Sequence, residues 1–208
     1  MKIKYLILSV LFFGTSAMSQ GFLNTVTWEV GIPVSKTSDF NNSTSYLGFG
    51  ISQRKYLDKF NSVGLVLGWN NFDERVRTPI NISSDRISGT ISGTQLRAIN
   101  VFPILLGLHH YFGPSGEIQA VIGFNTGLYF IAQRLDIGVY RFQSDNWHFG
   151  IAPELSFLIP MPDFDANFFI TGKYNYAFDS GTSVGGRENN FYSFWNINIG
   201  FAVTSNFW

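Results

Sequence analysis

The chain has 208 residues, of which 22 are Phe, 9 Tyr, 5 Trp and 21 Gly; it has no Cys and carries 14 basic and 14 acidic side chains. Only 13% of residues are charged, about half the share usual in soluble proteins, yet no apolar run reaches the roughly 18 residues that a membrane-crossing helix needs. The aromatic load excludes disorder, the missing cysteines exclude a disulfide scaffold, and the balanced charge excludes a basic nucleic-acid binder.

The first element is an export signal. Lys2 and Lys4 precede an apolar run from Tyr5 to Phe13 and the small-residue stretch GTSAMS, in which Ala17 and Ser19 fit a small-x-small cleavage site. Residues 1–19 are therefore read as a signal peptide, and 20–208 as the working domain. No Cys follows the apolar run, which argues against a lipoprotein anchor.

Eight segments with a period of two follow: Thr25 to Ser35, Ser45 to Arg54, Ser62 to Phe72, Leu96 to Phe112, Glu117 to Phe130, Asn146 to Ile159, Ala166 to Phe178, and Phe191 to Val203. Each is long enough to cross a bilayer as a tilted strand of roughly 9 to 11 residues. Val26, Trp28, Val30, Ile32 and Val34 share one face of the first segment, and Thr27, Glu29 and Gly31 the other. Within the strand cores the charges are Glu29, Glu154 and Lys173, all on the small and polar face. A soluble sheet would carry many charges on its solvent face, whereas a membrane barrel turns aliphatic and aromatic residues to lipid and polar ones inward. Gly31, Gly50, Gly68 and Gly123 on the polar face suit the inside of a narrow cylinder.

The connections alternate in length. Short links fall at Lys55 to Asn61, Gly113 to Gly116 and Pro160 to Asp165, and longer ones at Lys36 to Thr44, Asp73 to Gln95, Ile131 to Asp145 and Asp179 to Asn190. The short ones carry Asp-Lys, Gly-Pro-Ser-Gly and Pro-Met-Pro-Asp turn chemistry. The fold class is thus all-β: an eight-stranded antiparallel up-and-down transmembrane barrel, integral to the outer membrane, with both termini and the short turns periplasmic. Alternation continues in the second long link, predicting a hairpin beyond the membrane. Pro33, Pro103 and Pro153 fall inside strands, where bulges or strand ends are expected.

VFPILLGLHHYFG (Val101 to Gly113), GIAPELSFLI (Gly150 to Ile159), GKYNYAF (Gly172 to Phe178) and NINIGFAV (Asn196 to Val203) resemble the small outer-membrane β-barrel proteins of Bacteroidota-type bacteria, the outer membrane protein β-barrel domain or PorT-like group. The resemblance spans the chain after the signal and implies location and fold rather than an activity. Phe207-Trp208 is similar to the terminal aromatic signal by which such barrels are recognised for assembly.

Few residues suggest chemistry. Glu29, Glu154 and Lys173, with Arg54 and Arg97 at strand ends, are candidates for an ion-pair network inside the barrel, since an isolated buried charge is costly. Tyr46, Tyr129, Tyr192 and Phe194 are expected to fill much of the lumen, which leaves little room for a permanent pore. His109 and His110 are adjacent in a strand and point to opposite faces, so they cannot converge on one metal. His148, with Ser144 and Asp145 near in sequence, is the one histidine placed for a lipid-modifying enzyme, but proximity does not make a nucleophile, base and orienting group. No catalytic, cofactor or metal site is assigned. Arg75, Arg77, Asp85 and Arg86 in the second long loop form a contact surface for lipopolysaccharide or an envelope protein. The reading is a non-enzymatic binding, scaffolding or accessory-subunit barrel; the alternatives are passage of small hydrophobic compounds across the outer membrane and, behind it, lipid modification.

Overall fold

Strands form where small or polar side chains alternate with aliphatic and aromatic ones, because period-two alternation sends the two sets to opposite faces of a sheet. A computed structural model of the chain describes residues 21–77, 80–84, 87–91, 94–162, 164, 166–180, 182–184, 187–189 and 191–205. The strands are β1 (Phe22–Val34), β2 (Leu47–Tyr56), β3 (Asn61–Val76), β6 (Gln95–Phe112), β7 (Gln119–Ile137), β8 (Tyr140–Met161), β9 (Ala166–Ala177) and β12 (Tyr192–Ser205). They close into one antiparallel barrel in the order β1-β12-β9-β8-β7-β6-β3-β2. Two small hairpins, β4 (Ile80–Ser84) with β5 (Ile87–Ile91) and β10 (Thr182–Val184) with β11 (Arg187–Asn189), stand at the long-loop end as separate sheets. The signal-peptide region, Asp85, Arg86 and the terminal Phe207-Trp208 lie outside the described residues.

Closure is made by β1 and β12, paired without interruption from Phe22↔Ser205 to Val34↔Ser193. At this seam Gly200 lies opposite Thr27, and a Cβ there would run into the carbonyl oxygen of Val26 and sit 2.7 Å from the Cα of Thr27. Glycine is therefore what allows close approach at this point.

The prolines act differently from the expected bulges. β3 pairs with β6 in one register on both sides of Pro103, Leu67↔Ile104 and Asn70↔Val101, and only the pairs between them are lost. Across Pro153 the β8 and β9 pairs Ile151↔Tyr176 and Glu154↔Lys173 likewise keep one register. On their other sides both prolines sit in unbroken ladders, Pro103↔Tyr129 and Phe124↔Pro153. Each missing N–H thus removes bonding to one neighbour without inserting a residue. Pro33 does lie near a strand end: the β1–β2 ladder stops at Trp28↔Phe49, followed by a bridge at Gly31↔Ser45.

Besides the link from Asp179, which carries the β10–β11 hairpin, two segments read as loops are structured. Ile131 to Asp145 is mostly strand, because β7 and β8 run on to a tight turn at Gly138-Val139, where Gly138 takes φ 58. Lys36 to Thr44 contains a short helix, α1 (Lys36–Phe40), whose Thr37 and Phe40 are buried. β2 begins opposite Asn71 and β9 ends opposite Gly150, so beyond these points β3, β6, β7 and β8 form a four-stranded wall above the rest of the rim. The extension was hidden in sequence because its outward face turns polar while its inward face stays apolar, the reverse of the alternation within the belt.

The barrel exterior carries a continuous apolar belt. Leu106 is 63% and Leu108 62% exposed, and Phe49, Ile122, Phe124, Phe157, Ile197 and Phe201 are exposed on other strands. From Phe102 to Phe112 the outward residues are aromatic, aliphatic or His110; that stretch, tilted by ~40°, rises roughly 25 Å, the height of a membrane barrel's apolar band. So large an exposed patch is untenable in water.

The folded barrel is expected to migrate differently on a denaturing gel before and after boiling. Gly200→Val should lower the temperature at which the unboiled band is lost, through an overpacking cost of about 1–3 kcal/mol; an unchanged temperature would show that the seam widens freely.

Candidate functional site

The lumen is filled in layers. At the short-turn end Leu23, Tyr111, Val121, Leu158, Phe169 and Ala202 make an apolar cluster. At the other end Phe72, Ile99, Leu105, Tyr129, Ile131 and Phe194 belong to a second, larger one. Between them lies the polar waist.

Two carboxylates anchor the waist. Glu154 on β8 accepts a hydrogen bond from the Arg54 guanidinium at 2.8 Å and from Asn125 Nδ2 at 2.9 Å, and His109 Nε2 is 3.2 Å from its Oε1. The Arg54 guanidinium also lies over the Phe169 ring, 5.2 Å from its centroid. Glu29 on β1 accepts from Asn70 Nδ2 at 2.9 Å, Asn196 Nδ2 at 2.6 Å and Asn198 Nδ2 at 3.0 Å, with Lys173 Nζ at 3.5 Å. Lys173 is the cross-strand neighbour of Glu154, yet its ammonium reaches Glu29. Two cations and two carboxylates therefore balance in a site where all four side chains are at most 3% exposed. Such charges persist when paired and surrounded by donors.

Local sequence makes room for this. A Cβ on Gly50 would meet Glu29 Oε1, and one on Gly68 would lie 3.0 Å from Pro103 and 3.6 Å from Glu29 Oε2. A Cβ on Gly123 would fall 2.6 Å from both Glu154 Cγ and His109 Cδ2. The cavity between the ion pairs holds about 20 Å³, lined by Thr27, Ser52, Thr171 and the charged groups, which is space for about one water.

Arg97 is placed elsewhere. Its NH1 donates to the Phe40 carbonyl at 2.9 Å, its NH2 to Gln95 Oε1 at 3.0 Å, and its guanidinium stacks over the Phe40 ring. Asn41 Nδ2 donates to the Phe72 and Arg97 carbonyls, and Thr37 Oγ1 accepts from the Ser193 N–H. Together these hold α1 as a plug in the long-loop mouth. Tyr129, Tyr192 and Phe194 are buried inside as expected, but Tyr46 is 65% exposed on the outer wall. The alternation slips there: Ser45 is buried, Tyr46 and Leu47 are both exposed, and burial resumes at Gly48.

The remaining candidates separate. His109 faces the lumen, whereas His110 faces outward against Phe60 and Phe112, with Nδ1 2.8 Å from Asn61 Oδ1. His148 is buried, but Asp145 lies on the exterior, hydrogen-bonded by Gln143. His148 Nδ1 is 2.8 Å from the Phe178 carbonyl and Nε2 3.2 Å from Ser180 Oγ, a neighbour that sequence proximity did not point to. A backbone carbonyl makes the shorter hydrogen bond to this imidazole, with the Asp179 carboxylate acting on it through space. Arg75 and Arg77 are exposed on the wall. The sequence reading missed the three asparagines on Glu29; their polar-face parity was the available signal. Outside the belt, Asp58 closes the β2–β3 turn, where the Asn61 side chain and the Phe60 and Asn61 amides hold its carboxyl below the usual range.

No protein-family model matches the chain, and no curated protein matches it. Solved structures do. Neisserial surface protein A aligns over 90% of this chain and 97% of its own, at 10% identity and a TM-score of 0.51. The outer membrane protein OprG from Pseudomonas aeruginosa aligns over 91% of this chain and 97% of its own, at 16% identity and a TM-score of 0.53. The fold is that of small outer-membrane barrels. At these identities the likeness is one of architecture, so the waist is understood from its own contacts.

Lys173→Met, which leaves Glu29 buried without its counter-charge, should destabilise the barrel by about 3–5 kcal/mol, measured by urea unfolding in detergent. Adding Glu29→Gln should recover much of that loss; equal stability of the single variant and the parent would show that the asparagines alone neutralise Glu29.

Proposed function

We propose that the protein is an integral outer-membrane barrel of the Bacteroidota-type group, with its termini and short turns periplasmic, that works by binding rather than by conducting solutes or doing chemistry. The observation that carries this is the filled lumen: a charge-balanced waist between two apolar clusters, closed at the long-loop mouth by α1. An eight-stranded barrel is only just wide enough to be packed by its own side chains, and this one is packed. The wall raised by β3, β6, β7 and β8 then supplies the largest described protein surface above the belt. Arg75 and Arg77 lie on it and are the described part of the contact surface for lipopolysaccharide or an envelope protein partner, while Asp85 and Arg86 of that surface lie outside the described residues.

A second reading, sideways passage of small apolar compounds into lipid, is favoured by the ladder interruptions at Pro103 and Pro153. The interior cavity holds about 20 Å³, and although Glu154 and Lys173 beside the Pro153 gap line it, none of the unpaired residues at either interruption does. Binding remains the better reading.

Reconstituted in a planar bilayer, the protein should give no sustained conductance, and gentle-detergent purification from native membranes should retain a protein partner at fixed stoichiometry. The paired change Arg75→Glu and Arg77→Glu should release that partner while leaving the gel shift intact. A steady open channel, or a lone barrel that speeds uptake of apolar compounds, would replace this reading with transport.

A further inference from the structure

The outer face of the raised wall has an ordered lateral arrangement. Trp69, Phe102, Phe130 and Trp147 form an aromatic row across β3, β6, β7 and β8, with successive ring centroids 6.4, 6.2 and 5.2 Å apart. This row caps the apolar belt at the level where aromatic girdles meet lipid headgroups. Directly above it the strand registers align Asn71, Asn100, Ala132 and Asp145 as a first tier, and Asp73, Ala98, Arg134 and Gln143 as a second.

Each tier has one alanine among longer polar residues. Ala132 and Ala98 stand on neighbouring strands in successive tiers, and the wall is hollowed there into a recess of about 310 Å³. That is the lower end of the size range of small-ligand sites. The rim is rich in groups that pair with vicinal hydroxyls: amides that donate and accept, and carboxylates that accept. Asn71 and Gln143 already point their amides at Asp73 and Asp145, 2.7 and 2.8 Å away, on opposite sides of the recess.

The two carboxylates lining the recess outnumber its one lining cation, which disfavours a phosphorylated headgroup. Arg134, the cation lining the recess, has its Nε 3.3 Å from Asp136 Oδ2 and shares that carboxylate with Arg141, whose Nε is 2.9 Å from Oδ1, while Asp73 and Asp145 both present negative charge. The two carboxylates are three strands apart, on the order of 14 Å, too far to share one divalent ion that could bridge to phosphate. An uncharged sugar meets neither obstacle. Because the recess opens immediately above the belt, a sugar seated in it would place attached acyl chains against Phe102, Phe130 and Trp147.

We propose that this recess binds the uncharged saccharide headgroup of a membrane glycolipid, held edge-on against the wall with its acyl chains on the aromatic row. The inference rests on the membrane-binding reading above and names a ligand class for a recess on the same wall, between the aromatic row and Arg75.

The test is native mass spectrometry of the full-length protein in detergent, offered monoglucosyl diacylglycerol, phosphatidylglycerol with the same acyl chains, or free maltose. One glucosyl lipid should be retained per protein in preference to the phospholipid, with free maltose not retained. Ala132→Phe, which fills the recess, should weaken retention roughly tenfold or more. Asn100→Ala with Gln143→Ala, which removes amides without adding volume, should weaken it comparably, and the gel shift verifies folding of both variants. Equal retention of both lipids, tighter binding of the phospholipid, capture of maltose, or full retention by folded variants would overturn the proposal. If partner capture and absence of conductance persist while the glucosyl preference fails, this inference alone falls; loss of the gel shift in the parent protein would remove the membrane reading itself.

Discussion

In lipid no water is available to bond an exposed N–H or C=O, so a strand can cross only if its neighbours satisfy it on both sides. Closure of β1 onto β12 is how this chain meets that demand, and most other features follow from it. The seam needs Gly200 because a side chain there would hold the backbones apart. The prolines at 103 and 153 are tolerated because each interrupts only one of its two ladders and leaves the register unchanged.

Closing eight strands also fixes the lumen's radius, and the radius dictates its chemistry. Side chains from opposite walls meet, as Arg54 on β2 does with Glu154 on β8, and Glu29 on β1 is reached by Asn70 from β3 and Lys173 from β9, each two strands away. A carboxylate in that space is tolerable only with its counter-charge and donors, which explains why glycines cluster around it: Gly50 and Gly68 leave the volume its head occupies. The apolar clusters above and below keep the waist from water. One packing arrangement thus stabilises the waist and fills the lumen. On the proposed reading, the outer surfaces are then where the protein engages a partner.

Those outer surfaces are unequal. Four strands stop near the rim while β3, β6, β7 and β8 continue, and their pairing carries the inside-outside alternation beyond the belt. Inward residues such as Ile99, Leu135 and Ile137 join the packed cluster with Phe40, whereas outward residues turn polar above Trp69, Phe102, Phe130 and Trp147. The change from aromatic to amide and carboxylate within two residues marks the boundary between apolar and aqueous surroundings. α1 belongs to the same end. It satisfies Arg97 and the Ser193 N–H while closing the mouth.

What the sequence determined by itself was the set of constraints expressed locally along the chain. Period-two alternation, the charge-poor outward face and the glycines of the inward face were enough to place eight strands, the short turns and the inward direction of Glu29, Glu154 and Lys173. They also set His109 and His110 on opposite sides. Pairing was beyond its reach, because Glu154 meets Arg54 and Lys173 meets Glu29 only after the sheet has curled through a full turn. The same closure sent Arg97 to the mouth instead of the waist, and a one-residue slip after Ser45 turned Tyr46 outward. The β3 extension was legible as alternation past Asp73, but the β7–β8 part of the wall and the recess were decided by tertiary structure: Ile131 to Asp145 reads as a loop until cross-strand registers stack Ala98 and Ala132 among their longer neighbours. Alternation is a property of one strand, whereas register and shape belong to the assembled sheet.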